Sequence, residues 1–191
     1  MAEHTGLSAT LAETWPIWLV TITLVVAAVI DGVKLKVPNW LTFPMIISGW
    51  IYCATLSATP GWEGLKWSLV GTLVGLALLL PAYAIGGMGA GDVKLLAGVG
   101  AWVGGTTTFY AFCVSAVLGG LIAVVMVLYR KGWDKHRSQF WAIWFEILSI
   151  RNPDKLATIA AERKGTMLLL PYGIPIAIGT IAYFAWMGML L

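Results

Sequence analysis

Two of the nine acidic residues in this 191-residue chain, Asp31 and Asp92, stand at the ends of long apolar runs. Asp31 closes the first run, and Asp92 lies in a glycine-rich stretch, residues 86–94, between two later ones. Lipid cannot solvate a carboxylate, so an acid in such a place is costly and commonly functional. Two carboxylates close together share one proton, and such a pair can activate a water while donating to a carbonyl oxygen or a leaving amine. The residue types therefore indicate peptide hydrolysis without a covalent intermediate.

Each acid also has a simpler interpretation. Asp92 stands where a helix begins and could cap that helix, whose first amide groups favour an acceptor and a negative charge. It could combine capping with catalysis. Asp31 could form an ion pair with Lys34, one helical turn further on. The case for chemistry depends on the two acids lying together.

The composition predicts a membrane protein. The chain is 59% hydrophobic and only 11% charged, whereas a soluble domain is about 25% charged. A net charge of +3 is too small to indicate nucleic-acid binding. Cys53 and Cys113 lie in apolar runs without CxxC spacing, and His4 and His136 are isolated. We therefore expect no disulfide, no metal site and no cofactor.

The apolar runs predict an all-α, polytopic membrane protein with about six transmembrane helices, because about 20 apolar residues cross a bilayer. Residues 1–191 are expected to form a single membrane domain. The first 14 residues carry no Lys or Arg, so the first run is expected to be a retained helix rather than a signal peptide. The six runs are approximately Trp15–Ile30, Trp40–Ala58, Leu65–Ile85, Val93–Val103, Thr106–Tyr129 and Met167–Leu190. The fourth run is short and glycine-rich, so it could be a truncated span or could merge with the fifth and leave five spans.

The basic residues predict the orientation. Eleven of the 12 Lys and Arg residues follow the first, third and fifth runs, and only Lys66 falls on the other side. By the positive-inside rule, those three segments are cytoplasmic and both termini are outside. The rule uses no acidic residue, yet it places Asp31 and Asp92 at the same depth, at the cytoplasmic ends of their helices.

The last cytoplasmic segment, residues 130–166, contains a possible interfacial helix. Phe140, Trp144, Ile147 and Leu148 share one helical face, and basic residues flank them. This pattern predicts an amphipathic helix on the inner leaflet. It would anchor the segment or guide a substrate or partner.

Three blocks of the sequence resemble the type IV prepilin peptidases. Residues 88–96 read MGAGDVKLL and contain the GxGD signature of that family. Asp31 is followed by VPNWLT at residues 37–42, which is similar to the family's other main block. Residues 170–175, LPYGIP, resemble a third and weaker block in the last span.

The resemblance implies a membrane aspartic endopeptidase of the inner membrane, with its active site at the cytoplasmic face. Such enzymes cut the basic leader from prepilins or pseudopilins after a glycine, just before the hydrophobic pilin helix. Asp31 and Asp92 would be the catalytic pair, and Gly89 and Gly91 would shape the loop around Asp92. Lys94 matches a basic residue after the motif, where it would tune the pair or contact lipid phosphate.

The other implied features concern the turn after Asp31 and the partners. Pro38 and Asn39 would fix the turn between the first two spans, and we expect Asn39 to cap the second helix. The partners would be the substrate helix, the bilayer and the pilus or secretion assembly machinery, with no nucleic acid.

Larger family members carry paired CxxC motifs in a cytoplasmic domain and also methylate the new pilin N-terminus. This chain resembles the short, peptidase-only branch, and we expect no methyltransferase activity from it. Two other readings stay open. One is a small transporter or proton-coupled channel component that uses intramembrane carboxylates. The other is an inactive homologue that serves as an assembly scaffold.

Overall fold

The structure, a computed structural model, describes residues 3–84, 87–129 and 171–190 of the chain. Every regular element in these ranges is a helix, which confirms the all-α class for the described residues. The five helices are α1 Glu3–Lys34, α2 Asn39–Thr55, α3 Trp62–Ala84, α4 Ala90–Tyr129 and α5 Gly173–Trp186.

Three helical stretches are long and apolar enough to cross a membrane: Thr14–Lys34, Trp62–Ala84 and Ala90–Val125. α5 is a shorter apolar helix of 14 residues. These helices agree with a membrane protein, while the count of six spans stays a prediction. The expected interfacial helix in residues 130–166 lies outside the described residues.

The chain reverses direction inside α4, at Gly104. This glycine has φ 76° and ψ 174°, which lies outside the helical region and is unfavourable for other residues. It packs against the Trp67 ring near the start of α3, whereas Gly119 packs against Pro175 near the start of α5. In a straight helix, residue 119 would lie far beyond the start of α3 rather than beside the start of α5. The two segments correspond to the separate fourth and fifth runs of the sequence.

Glycines allow the first segment of α4 to pack closely against α3. A Cβ atom on Gly71 would overlap the carbonyl oxygen of Gly100, and the reverse is also true. Close by, the Ser68 hydroxyl donates a hydrogen bond of 2.5 Å to the carbonyl oxygen of Ala101. Small residues and short polar contacts of this kind hold membrane helices together, where water provides no hydrophobic driving force. They fix the segment that begins near Asp92.

The second segment of α4 packs in the same way against α5. A Cβ atom on Gly179 would overlap the backbone of Ser115, whose hydroxyl lies 3.3 Å from the carbonyl oxygen of Ile176. At the far end of α5 the rings of Tyr110 and Tyr183 stack with centroids 6.1 Å apart. α5 therefore runs antiparallel to this segment, with Pro175 in its first turn beside Gly119.

α1 ends in a left-handed turn. Leu35 has φ 51°, and its amide donates a 2.8 Å hydrogen bond to the carbonyl oxygen of Asp31. This is the bond of an αL helix cap, usually provided by glycine, and a side chain costs about 1–2 kcal/mol in that conformation. The turn leads the chain through Pro38 into α2. The starts of α4 and α5 lie at the same end, through the contacts of Gly91 with Val37 and of Gly173 with Asp31. We call this region, formed by the end of α1 and the starts of α2, α4 and α5, the acid end of the bundle.

Candidate active site

Asp92 lies in the first turn of α4, where one of its oxygens closes the glycine loop. Oδ2 accepts a 3.2 Å hydrogen bond from the amide of Gly89, three residues earlier. Asp92 is therefore at the third helical position and makes the reciprocal bond of a capping box, rather than occupying the N-cap. The residue is only 5% exposed, and its Oδ1 atom has no hydrogen-bond partner in the described part of the chain. One oxygen therefore takes part in the helix cap, and the other has no partner among the described residues.

Asp31 is held by a different helix. Its Oδ2 atom accepts a 2.8 Å hydrogen bond from the amide of Gly173, the first residue of α5, and the residue is 2% exposed. Lys34, the alternative partner, forms no ion pair with Asp31. Among the described residues, the ion pair is the one between Lys66 and Glu63. The interpretation of Asp31 as a surface ion pair is therefore wrong.

The two acids lie close enough for the charge of Asp31 to act on Asp92. Tyr172, which precedes Gly173, is within electrostatic range of Asp92. The start of α5 is therefore bonded to one acid and within electrostatic range of the other. The amide groups at a helix N-terminus carry a partial positive charge, and α4 and α5 each present this end to one acid. Hydrogen bonds from these amides reduce the cost of burying two carboxylates.

Gly91 brings the turn after α1 against the start of α4. A Cβ atom on Gly91 would lie 2.5 Å from the carbonyl oxygen and 2.9 Å from the Cβ of Val37, which is buried. Only a glycine allows this approach without moving the backbone. Because Val37 follows Asp31 by six residues, the contact draws the two acids toward each other. The GxGD stretch and the VPN stretch therefore meet directly.

Lys94 connects α4 to α2. Its Nζ atom donates a 3.0 Å hydrogen bond to Oδ1 of Asn39 and lies 4.7 Å from the ring centroid of Phe43. The cation is shared between an amide oxygen and an aromatic face, an arrangement that fixes the two helix starts relative to each other. This contact gives Lys94 a structural role at the edge of the site.

The prediction that Asn39 caps α2 is wrong. Asn39 is the first helical residue, and the N-cap is Pro38, in an extended conformation with φ −77° and without a side-chain cap. The Asn39 side chain is instead turned toward Lys94, which attracts its carbonyl oxygen more strongly than a neutral amide would. Pro38 does lie in the turn between the first two helices, as expected.

Gly173 is the site residue that sequence reasoning did not single out. Gly173 lies in the LPYGIP block, but nothing in the composition of that block indicates that the Gly173 amide reaches Asp31. The two residues are 142 positions apart in the sequence. Only the packing of α5 against α1 brings them together.

The fold and the site define a helical membrane protein with two buried aspartates, from different helices, at one end of the bundle. The chain belongs to the type IV leader peptidase family, which matches residues 18–124. This range contains both acids and the complete GxGD stretch.

Curated relatives agree with the family. The prepilin leader peptidase/N-methyltransferase of Aeromonas hydrophila is 29% identical over 136 residues, which are 66% of this chain and 46% of that protein. The protein of the same name from Neisseria gonorrhoeae is 31% identical over 115 residues, which are 56% of this chain and 39% of its own length. The chain thus matches less than half the length of these relatives. No solved structure gives a significant match.

Proposed function

We propose that this protein is a membrane aspartic endopeptidase that removes the basic leader from type IV prepilins or pseudopilins. The cut would follow a glycine at the cytoplasmic face of the inner membrane, just before the hydrophobic helix of the substrate. The single observation that carries the proposal is that Asp31 and Asp92, from two different helices, are both buried at one end of the bundle and lie within electrostatic range of each other. Membership of the leader peptidase family supports the substrate class.

The chemistry requires one ionised and one protonated carboxyl group. The ionised group removes a proton from a water molecule while the water oxygen bonds to the carbonyl carbon of the scissile peptide. The protonated group gives its proton to the carbonyl oxygen, which produces a neutral tetrahedral diol. When the C–N bond breaks, the leaving nitrogen takes a proton from the protonated carboxyl group, and a hydroxyl group of the diol gives its proton to the ionised one. The product is a carboxylic acid, and the pair again has one ionised and one protonated carboxyl group. The two acids titrate as a unit, so neither is assigned as the permanent acid or base.

A direct test uses purified protein in lipid vesicles with each full-length type IV prepilin from the same genome. We expect the wild-type protein to release a leader, and N-terminal sequencing of the product should place the cut after a glycine. Asp31→Asn and Asp92→Asn should each abolish cleavage, because an amide cannot exchange protons as a carboxyl group does. Either variant processing the leader at the wild-type rate would refute the pair.

Glu63→Gln is the matched control. Glu63 is an exposed acid that forms an ion pair of 2.8 Å with Lys66 at the start of α3, away from the acid end. It removes a carboxylate without touching the pair, so cleavage should continue at the wild-type rate. Loss of activity in this variant would mean that charge in general, rather than the pair, is required.

The proposal covers leader cleavage alone and does not extend methyl transfer, part of the relatives' name, to this chain. Mass spectrometry of the cleaved pilin should therefore find an unmethylated N-terminus. The transporter alternative gains no support, because both acids lie at helix ends, whereas transporter sites lie near the middle of the membrane. The full membrane topology, with six spans, both termini outside and one domain over residues 1–191, belongs to this proposal.

A further inference from the structure

The bond between α5 and Asp31 joins distant parts of the chain at the candidate site. The amide of Gly173 donates to Oδ2 of Asp31 over 2.8 Å, and both residues are buried. Hydrogen bonds from a backbone amide to a carboxylate are short and directional, and this one comes from a helix terminus that cannot rotate freely. It therefore restricts the orientation of the Asp31 carboxyl plane.

The position has no room for a side chain. A Cβ atom on residue 173 would lie 2.9 Å from Oδ2, 3.0 Å from Cβ and 3.1 Å from Cγ of Asp31. All three atoms belong to the Asp31 side chain, and none belongs to a backbone. An added methyl group would therefore displace the Asp31 side chain. The carboxyl group can rotate about its side-chain bonds, whereas Cβ can move only with the backbone, by a few tenths of an ångström.

Helix electrostatics favour the same arrangement. Asp31 is close to the C-terminus of α1, where the helix dipole disfavours a negative charge. The N-terminus of α5 supplies the opposite partial charge at hydrogen-bond distance. Tyr172, the neighbour of Gly173, lies within electrostatic range of Asp92. The start of α5 thus contacts Asp31 directly and lies within electrostatic range of Asp92.

We infer that Gly173 is a positioning residue, whose amide holds Asp31 in the orientation that the pair needs and whose missing side chain makes this approach possible. Its catalytic meaning rests on the proposed function. Gly173 acts through Asp31 and does not itself touch the substrate. The inference adds the last helix to a site that the sequence assigned to the ends of the first and fourth runs.

The variant Gly173→Ala tests the inference, with cleavage of one tagged type IV prepilin in vesicles of phosphatidylethanolamine and phosphatidylglycerol as the assay. We expect kcat to fall about 100-fold, the loss that a displacement of about 1 Å at a reacting group can cause. KM should change by less than about 2-fold, because the methyl group reaches Asp31 rather than the docked helix. The melting temperature in detergent should stay close to the wild-type value.

Two other glycine variants separate position from stability. Gly120→Ala adds a Cβ atom with nothing within 4 Å and should leave kcat, KM and the melting temperature unchanged. Gly179→Ala directs the same atom at the backbone of Ser115 and should lower the melting temperature. A loss of kcat in Gly173→Ala that is matched by a loss of stability like that of Gly179→Ala would overturn the inference.

A second measurement does not need a substrate. A hydrophobic carbodiimide modifies buried carboxyl groups, and peptide mass spectrometry reports the rate at Asp31. We expect faster modification in Gly173→Ala than in the wild type and no change in Gly120→Ala. An unchanged rate together with unchanged kcat would overturn the inference while leaving the proposed function standing. A faster modification of Asp31 in Gly173→Ala, together with a wild type that cleaves no prepilin, would support the positioning role and refute the proposed function.

Discussion

Each acid uses Oδ2 to accept a hydrogen bond from a glycine amide, Gly173 for Asp31 and Gly89 for Asp92. At the scale of single residues, the carboxyl groups are therefore structural parts as well as candidate reactants. An asparagine can replace the acceptor but not the proton exchange, whereas an alanine replaces neither.

The Asp92 side chain provides a prediction on stability. Asp92→Asn should keep the bond to the Gly89 amide. It also removes the negative charge of a buried carboxylate, whose Oδ1 atom has no partner among the described residues. Asp92→Ala should lose that bond and be less stable than the Asn variant by about 1 kcal/mol. Both should be inactive. Thermal unfolding in detergent measures the difference, and equal stability of the two variants would show that the capping bond contributes nothing.

At the scale of helices, the acid end combines one helix C-terminus with three N-termini. Glycines control how closely these elements approach, at Gly91 against Val37 and at Gly71 against Gly100. The contact between Lys94 and Asn39 adds a polar link between α2 and α4. The position of the acids thus depends on helix packing over the whole bundle, not on the GxGD loop alone.

The reversal in α4 gives the second prediction. Gly104→Ala would place a side chain at a positive φ and against the Trp67 ring. Strain and overlap together should destabilise the protein by about 3 kcal/mol. Gly105→Ala is the adjacent control, since its Cβ would lie 3.2 Å from the Val74 side chain, which can shift slightly. A melting temperature that falls equally in both variants would argue against a special conformation at Gly104.

Hydropathy predicted the elements well, because each apolar run is a local property of the sequence. The runs Val93–Val103 and Thr106–Tyr129 left open whether one helix or two would form, and the structure shows two segments that meet at Gly104. The roles of Asn39 and Gly173 could not be predicted in this way. Each depends on a partner more than 50 residues away, 55 for Asn39 with Lys94 and 142 for Gly173 with Asp31.

At the scale of the whole molecule, the orientation in the membrane is the main remaining prediction. Lys36→Cys, in the turn after α1, and Thr59→Cys, in the turn after α2, would be introduced into a C53S and C113S background. A membrane-impermeant maleimide should label residue 59 in intact cells and residue 36 only after the membrane is opened. Both side chains are exposed, so access depends on the side of the membrane. The opposite labelling pattern would place the acids at the outer face and contradict the proposed site of cleavage.

That the two acids lie at one end of the bundle was predictable at this scale, although the contacts that hold them there were not. The distribution of Lys and Arg places the ends of the first and fourth runs on one side, and this follows from counting charges. The structure adds that the start of α5 lies at the same end. The LPYGIP block covers this helix start, but the sequence gives no physical reason for its place beside Asp31.

The reversal at Gly104 also bears on how the chain enters the membrane during synthesis. Residues 90–103 rise only about 21 Å as a helix, less than the hydrocarbon thickness of about 30 Å. This segment is too short to span the membrane by itself. It carries Asp92 in its first turn and ends beside Gly104, which contacts α3. We expect it to enter as one helical hairpin with the segment after Gly104, so that Asp92 reaches its final depth only when that second segment has left the ribosome.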